Sequence, residues 1–144
     1  MIKINFPAHP FKTRKEGNKE FIFDEFRKRW VILSPEEWVR QNFLQYLMSE
    51  KNYPAGWLAV EREMKLGELS KRFDILVFDQ RAKPFMMIEC KSMEVELSEK
   101  ILAQVVRYNM AIPVSILVIT NGKHTFGFDI TSGEAVPITE IPAN

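Results

Sequence analysis

The chain has 144 residues, of which 46% are hydrophobic and 27% are charged, and this composition is that of a globular domain rather than a disordered or membrane-spanning chain. A single cysteine and two histidines exclude an internal disulfide and a cluster of soft zinc ligands, so a metal site here would use oxygen ligands. The net charge of +1 argues against a general coat protein for nucleic acid, which needs a clear basic excess.

No segment has the apolar core of a signal peptide, and none approaches the roughly eighteen apolar residues of a membrane span. We therefore expect a cytoplasmic protein without a membrane partner. Residues 1–144 are expected to form a single domain, with a basic N-terminal appendage over 1–33, a core over 34–130 and a C-terminal tail over 131–144. The pattern leaves the oligomeric state open.

The N-terminal segment carries the positive charge. Residues 1–33 contain eight lysines or arginines and four acids, a net charge of +4, whereas residues 34–144 carry −3. A solvated surface is the simpler interpretation, and a patch that contacts phosphate groups is the alternative. Residues 8–20 are polar and predict irregular structure. The segments FIFDEF (21–26) and RWVIL (29–33) predict a short strand pair or one bent strand.

Ser34 begins the first predicted helix. Pro35 occupies the first helical position and Glu37 the third, so the sequence has the residues of a capping box. The helix is predicted to run from about 35 to 50 and to bury one face, formed by Val39, Phe43, Tyr46 and Leu47. The nearby proline and glycine at positions 54 and 56 end it.

Three strand-like segments follow: WLAVEREMKL (57–66), RFDILVFD (72–79) and PFMMIECKS (84–92). The short loops between them predict an antiparallel meander. A second helix, capped by Ser98, is predicted over 99–111, with the apolar stripe Ile101, Leu102, Val105 and Val106.

Two further strands are predicted at VSILVIT (114–120) and HTFGFDI (124–130), joined by a tight turn at Asn121 and Gly122. The order is helix, three strands, helix and two strands. It predicts an α/β fold in which two helices flank a mixed sheet that contains the antiparallel meander.

A cluster of charged side chains is predicted on two of these strands. Glu89 and Lys91 alternate along one strand and so point to the same face. If the preceding hairpin has a four-residue loop, Asp79 pairs with Pro84, and the count places Asp74 opposite Glu89, with Cβ atoms about 4.5 to 5.5 Å apart. Two carboxylates and one ammonium group then share a small space.

Such a pair of carboxylates repels itself unless a proton or a cation lies between them. Oxygen ligands of this kind select Mg²⁺ or Mn²⁺. Lys91 can hold a water molecule or stabilise charge on a phosphate, and the whole set suits metal-assisted attack of water on a phosphodiester. The simpler alternative is a Glu–Lys pair on an exposed face with Asp74 ending a strand. The apolar runs around both strands argue against it, because unpaired charges are costly on internal strands.

The segment KRFDILVFDQRAKPFMMIECKS (71–92) resembles motifs II and III of the PD-(D/E)xK nuclease superfamily, with Asp74 in the aspartate position and Glu89 and Lys91 in the E-x-K. The resemblance implies a restriction-endonuclease-like core and a Mg²⁺- or Mn²⁺-dependent endonuclease that acts on DNA. Phe73 replaces the usual proline before the aspartate, a substitution that the superfamily tolerates.

Within the superfamily the chain resembles the N-terminal nuclease domain of type I restriction enzyme R subunits, over about residues 30–130. The run PEEWVR (35–40) is similar to the start of the motif I helix, which would make Glu37 the motif I acid. Gln104 and Tyr108 match a Q-x-x-x-Y motif of the RecB-like and type I branches. The R subunit continues into an ATP-driven motor, but this sequence has no G-x-x-x-x-G-K-[ST] loop and is not expected to translocate DNA by itself.

The resemblance assigns roles to individual residues. The implied catalytic residues are Asp74, Glu89, Lys91, Glu37 and Gln104. The implied metal ligands are Asp74, Glu89 and the backbone carbonyl of Cys90. The candidate DNA contacts are Gln104, Tyr108, Arg72 and Arg107.

Several of these residues have equally simple structural explanations. Glu37 suits a capping-box acid, Gln104 and Tyr108 suit the polar edge of an amphipathic helix, and the two arginines suit exposed surface. The side chain of Cys90 is expected to be buried. DNA and other subunits of a restriction or defence complex are the expected partners. The alternative function is a non-catalytic nucleic-acid-binding or assembly module.

Overall fold

The computed structural model describes residues 1–144, except for the side chain of Leu69. The described chain contains two α-helices, α1 (Pro35–Ser49) and α2 (Glu99–Asn109). Its nine strands are β1 (Thr13–Glu16), β2 (Lys19–Asp24), β3 (Arg29–Ile32), β4 (Leu58–Leu66), β5 (Leu69–Phe78), β6 (Pro84–Cys90), β7 (Ile116–Thr120), β8 (Thr125–Asp129) and β9 (Val136–Ile138). Among these residues no helix has the length and hydropathy needed to cross a membrane.

The N-terminal strands form a separate antiparallel sheet in the order β1-β2-β3. The predicted strand pair is confirmed as β2 and β3. The prediction of irregular structure over 8–20 is wrong, because β1 lies within it. All four side chains of β1 are exposed, so this strand has no apolar alternation in its sequence. The sequence did contain one indication of this hairpin, the pair Gly17 and Asn18, because such a pair favours a two-residue turn between antiparallel strands. In the structure Gly17 has a φ of 62°.

The main sheet has the order β4-β5-β6-β7-β8-β9. The first three strands form the predicted antiparallel meander, and β7 to β9 are antiparallel as well. The pairing of β6 with β7 is parallel, with α2 in the connection between them. β5 begins at Leu69, earlier than predicted, because the hairpin loop contains only Gly67 and Glu68.

The two helices cover opposite faces of the main sheet. Under α1 lie side chains such as Ile75, Ile88 and Val118, together with the four helix residues predicted to be buried. Under α2 lie Leu76 and Met87, together with the predicted apolar stripe of that helix. Each face of a central strand is therefore buried, which explains the uninterrupted apolar runs of β5, β6 and β7.

Residues 131–144, expected as a tail, add structure to the main sheet. β9 lies within them and pairs with β8. The prediction that the strand at 124–130 is the last one is therefore wrong. Ile141 is fully buried in the cluster under α1. At the other end of the chain, Ile2 is also buried there and forms a bridge to Thr125.

Candidate active site

The loop between β5 and β6 differs from the prediction. Phe78, rather than Asp79, pairs with Pro84. The loop therefore spans five residues, and the Asp79 carboxylate accepts hydrogen bonds from two backbone N–H groups inside it. By itself this change would shift the register of the hairpin by one residue and would separate the predicted carboxylates.

A bulge next to the loop restores the predicted count further along the strands. Ile75 pairs with Ile88, as the predicted count requires. The hairpin thus has the predicted register at Ile75, reached through a different loop, and Asp74 approaches β6 through its Oδ2, which accepts the backbone N–H of Cys90. The extra loop residue and the bulge cancel each other.

Asp74 turns toward α1. Its Oδ1 accepts a hydrogen bond from Arg40 Nη2 at 2.8 Å, and its Oδ2 accepts one from the backbone N–H of Cys90 at 2.8 Å. The alternation of β5 is broken here, since Phe73 packs under α2 and Ile75 under α1. On the neighbouring strand β4, Glu61 is skipped in the pairing and has a φ of 48°. The irregularity lets both acids approach Arg40.

Glu89 lies on the other side of its strand. Ile88 and Cys90 pack under α1, so alternation directs Glu89 to the side of α2. This differs from the expectation that Asp74 and Glu89 project from one face. The pKa of Glu89 is raised mainly by burial, and the charge of Asp74 raises it further. Lys91 opposes this shift, with its Nζ 4.0 Å from Glu89 Oε2.

The start of α1 supplies two acids with different environments. Ser34 caps the helix as predicted, because its Oγ accepts the N–H of Glu37 at 3.0 Å. The reciprocal half of the capping box is not formed, since the N–H of Ser34 donates to the carbonyl of Ile32. The carboxylate of Glu37 is buried and accepts hydrogen bonds from Arg27, Arg40 and Gln41.

Glu36, by contrast, is half exposed and faces the candidate site. Its pKa is raised by burial and by the charge of Asp74, and Arg40 and Lys91 oppose the rise. At the helix start, Glu36 is therefore the acid coupled to both Asp74 and Lys91. Sequence reasoning selected Glu37 for this position, and its catalytic assignment stays a prediction.

Arg40 is the central cation of the site. Its Nη1 donates to Glu37 at 2.6 Å, and its Nη2 lies 2.8 Å from Asp74 and 3.2 Å from Glu61. Burial by itself would lower the pKa of Arg40, but the hydrogen bond to Asp74 and the charge of Glu37 raise it. The guanidinium is therefore held charged in the interior, where it neutralises several carboxylates.

Arg27 extends this cluster to the N-terminal sheet. It pairs with Asp24 beside it, with Glu37 at 2.6 Å and with Glu61 at 2.9 Å. The charged groups joined by Arg27 and Arg40, here called the ion network, are Asp24, Arg27, Glu36, Glu37, Arg40, Glu61 and Asp74. The network connects β2, α1, β4 and β5, and it fixes the direction of Asp74.

Sequence reasoning missed Arg27, Arg40 and Glu61. One signal was available for Arg40, which lies three residues after Glu37 and next to the buried position Val39, so an internal ion pair was readable from the helix pattern. Arg27 and Glu61 are 34 residues apart in sequence, and no local pattern joins them.

The predicted DNA contacts lie on exposed surface. Gln104 and Arg107 are exposed on α2, and Tyr108 has 76% of its side chain accessible. The ammonium of Lys71 lies 4.0 Å from the centre of the Tyr108 ring, and its charge lowers the pKa of Glu89. Lys71 therefore interacts both with this end of α2 and with Glu89 of the candidate site. Arg72 is exposed and pairs with Glu61 at 2.9 Å.

Among the described residues, no three His, Cys, Asp or Glu side chains are arranged to hold a metal ion. Carboxylate oxygens of the kind that Asp74, Glu36 and Glu89 offer suit a hard divalent cation, and the charge of Asp74 raises the pKa of both glutamates. The Cys90 thiol is fully buried, and burial raises its pKa.

A cavity of about 790 Å³ lies on the surface near the ion network, and neither Asp74 nor Glu89 lines it. Arg27 lines it together with Trp57, Arg62 and Phe78. The cavity therefore meets the ion network through Arg27 alone among the network residues.

Comparison with known proteins agrees with this architecture. Residues 35–142 match the family model described as the type I restriction enzyme R protein N terminus (HSDR_N). The match covers more than half of the chain, so the protein belongs to this family. A search of curated proteins gives no significant match.

A solved structure from Vibrio vulnificus, a fragment described as an HsdR subunit of a type I restriction enzyme, has a similar fold. The TM-score is 0.52 at 20% sequence identity, and the match covers 77% of this chain. It covers 24% of the Vibrio chain, so the present protein corresponds to about a quarter of that fragment.

The burial of Arg40 predicts a large effect of its removal. Arg40→Met removes the arginine that the buried Glu37 and the partly buried Asp74 share, and although Arg27 still pairs with Glu37, Asp74 loses its arginine partner, so we expect a loss of about 3 kcal/mol in the free energy of unfolding. Arg72→Met is the matched control, because Arg72 pairs with Glu61 but is 66% exposed, and its loss should cost less than about 1 kcal/mol. Urea unfolding measures both. Equal losses would show that the ion network does not support the fold.

The raised pKa of Glu89 predicts a dependence of stability on pH. When the pKa of a carboxyl group is higher in the folded than in the unfolded state, ionisation of that group destabilises the protein at pH values above the folded-state pKa. Below the pKa of the unfolded state, about 4.3 for glutamate, the group is protonated in both states and has no such effect. In EDTA, Glu89→Gln should therefore melt at a higher temperature than the unaltered protein at pH 8. The difference should shrink toward zero as the pH approaches 4.

The exposed carboxylate of Glu134 provides the control, since Glu134→Gln should leave the melting temperature nearly unchanged at every pH. A Glu89→Gln protein that melts below the unaltered protein at pH 8 would contradict the assignment, because it would mean that the ionised carboxylate stabilises the fold.

Proposed function

We propose that this chain is a metal-dependent endonuclease module that hydrolyses DNA phosphodiester bonds in a type I restriction system, with other subunits as partners. The observation that supports it is the geometry at the end of β6, where Asp74 Oδ2 accepts the backbone N–H of Cys90 at 2.8 Å and Lys91 Nζ lies 4.0 Å from Glu89 Oε2. The proposal includes a restriction-endonuclease-like core. A cytoplasmic location is part of the same prediction.

The proposed metal is Mg²⁺ or Mn²⁺, with Asp74, Glu89 and the backbone carbonyl of Cys90 as ligands. Such an ion supplies Lewis-acid polarisation of the phosphate and a more acidic water molecule. Glu36 is a further candidate ligand in the proposal, because its half-exposed carboxylate lies 3.9 Å from Arg40 Nη2, the same atom that pairs with Asp74. Glu37 keeps a positioning role in the proposal, since Arg27, Arg40 and Gln41 already occupy its oxygens.

Lys91 has the chemistry of an electrostatic stabiliser. Its ammonium donates hydrogen bonds without accepting them, and it lies beside the carboxylate of Glu89 at the end of β6. There it can orient a water molecule and offset negative charge that develops on the phosphate. The half-exposed side chain keeps access to substrate while its stem remains packed.

The exposed end of α2 supplies the proposed DNA contacts. Gln104, Arg107 and Tyr108 are solvent-accessible, and Lys71 connects Tyr108 to the charge of Glu89. Arg72 on β5 is a further exposed guanidinium, and it pairs with Glu61. Contacts from such groups to the phosphate backbone would position DNA without reading its sequence.

One observation favours the second candidate, a non-catalytic nucleic-acid-binding or assembly module. Arg40 pairs with Asp74, the first proposed metal ligand, and so offers a cation that already neutralises this carboxylate. In this alternative the acids have a structural role alone, and neither metal binding nor cleavage occurs. The two experiments below separate the candidates.

Metal binding should stabilise the folded protein. A cation at ten times its dissociation constant adds about 1.4 kcal/mol to the free energy of unfolding, which raises the melting temperature by a few degrees. The double change Asp74→Asn and Glu89→Gln should abolish this shift, whereas Glu68→Gln with Glu134→Gln, at two exposed positions, should preserve it. No shift in the unaltered protein at millimolar Mg²⁺ or Mn²⁺ would remove the proposed metal site.

Lys91→Ala should separate catalysis from binding. Loss of an electrostatic stabiliser should lower the rate of DNA cleavage by roughly 10²-fold or more, while DNA affinity changes little, since one phosphate contact is a small share of binding. Lys83→Ala is the control, because Lys83 is exposed at the opposite end of β6. Cleavage and affinity are measured on one preparation, with circular dichroism as the folding control. Undiminished cleavage in Lys91→Ala would refute the role of Lys91.

A further inference from the structure

The three-stranded N-terminal sheet has one face turned away from the rest of the molecule. Ile22 and Asp24 on β2 are fully buried, so the alternation of the strand directs Phe21 and Phe23 to the opposite face. The strand pairing adds residues from β1 and β3 to that face. We call it the outer face, and it consists of Lys12, Arg14, Glu16, Lys19, Phe21, Phe23, Trp30 and Ile32.

The outer face carries three aromatic rings outside both core clusters of described residues. Phe23 and Trp30 contact each other edge to face, with ring centres 5.5 Å apart. Phe21 lies next along β2. All three side chains are partly accessible, and the neighbouring Ile32 is 58% exposed. An apolar surface of this kind on a sheet marks an interaction site.

A planar cation completes this surface. The guanidinium carbon of Arg14 lies 4.6 Å from the centre of the Trp30 ring and 5.7 Å from that of Phe21. The planar group of Arg14 thus extends the aromatic surface, and it remains exposed to solvent. Guanidinium planes and aromatic rings are the two kinds of side chain on which unpaired bases stack.

The charge of the outer face is positive. The face carries three cations, Lys12, Arg14 and Lys19, and one carboxylate, that of Glu16, which lies 3.4 Å from Arg14. These residues belong to the segment 1–33 with its net charge of +4, whereas residues 34–144 carry −3. The aromatic rings therefore lie beside the positively charged side chains of this segment, and such a surface complements a polyanion.

We infer that the outer face binds single-stranded DNA, with unpaired bases stacked on Trp30, Phe23 and the guanidinium of Arg14, and with phosphates near Lys12 and Lys19. A duplex fits this surface poorly, because its bases are stacked on each other. A protein partner fits it less well, since lysines are depleted at protein interfaces. The choice of DNA over RNA rests on the proposed function, whereas the stacking and charge arguments do not.

Fluorescence anisotropy with a labelled oligothymidine tests the inference in EDTA, so that cleavage plays no part. Trp30→Leu removes the ring but keeps an apolar side chain, and the loss of one stacked base should weaken binding roughly 5- to 100-fold. Trp30→Tyr keeps a ring and should bind within about threefold of the unaltered protein. Trp38→Leu, at an exposed tryptophan on α1, is the matched control and should leave binding unchanged.

The lysines are tested through salt. Lys12→Ala and Lys19→Ala should each reduce the slope of log affinity against log salt by about 0.7 if each contacts a phosphate of a single strand. Thermal melting followed by circular dichroism shows whether the Trp30 variants remain folded. If Trp30→Leu does not fold, the comparison of Trp30→Tyr with Arg14→Gln, which should bind more weakly, takes its place.

Four outcomes would overturn the inference. They are equal binding of oligothymidine by the unaltered and Trp30→Leu proteins, equal or tighter binding of a duplex, tighter binding of single-stranded RNA, and self-association that Trp30→Leu abolishes. Failure of the nuclease proposal is distinguishable from failure of this inference. The nuclease proposal is tested by the effects of Lys91→Ala and of metal removal on cleavage, whereas oligothymidine binding is measured without metal.

Discussion

The fold around the candidate site depends on the neutralisation of buried carboxylates by two arginines. Removing a carboxylate from water costs several kcal/mol unless paired charges and hydrogen bonds replace the solvent. Arg40 and Arg27 provide these partners for acids from β2, α1, β4 and β5. Because each arginine bridges several elements, the position of each element is coupled to that of the others.

This coupling has a direct consequence for Asp74. Its two oxygens accept hydrogen bonds from different elements, Arg40 on α1 and the backbone of Cys90 on β6. The carboxylate is therefore held at one orientation before any ligand arrives. In the proposed metal site a divalent cation would compete with Arg40 for this carboxylate, and Arg40 would keep Glu37 and Glu61 as partners. The ion network thus fixes the orientation of the Asp74 carboxylate. It also lowers the free-energy cost of breaking the ion pair between Asp74 and Arg40.

The sequence predicted the elements whose pattern is local. The helix caps at Ser34 and Ser98, the meander and the buried apolar runs are all visible within windows of a few residues. β1 was missed because its side chains are all exposed, and β9 because three residues carry too little alternation. The pairing count between β5 and β6 was predicted through a loop that the structure does not have, and a bulge restores this count at Ile75 and Ile88.

The remaining features of the site could not be predicted because they arise from contacts between distant residues. Arg27, in the turn after β2, and Glu61 on β4 meet only in the folded chain, and nothing in either local sequence indicates this pair. The break in alternation at Asp74 has the same origin, since it accompanies the positive φ of Glu61 on the neighbouring strand. Local patterns therefore predicted the strands that carry Asp74 and Glu89 but neither the arginine partners nor the direction in which the carboxylates point.

The ion network also determines how a polyanion can approach the candidate site. Six carboxylates lie in or beside it, namely Asp24, Glu36, Glu37, Glu61, Asp74 and Glu89, and by themselves they would repel a phosphate backbone. Five cations accompany them, Arg27, Arg40, Lys71, Arg72 and Lys91, so the local charge is close to zero. Attraction for DNA must then come from outside this neutral region. Arg27 joins the region to the N-terminal sheet, whose opposite side carries exposed cations and aromatic rings, so the same contact that orders the acids also fixes the positive surface relative to them.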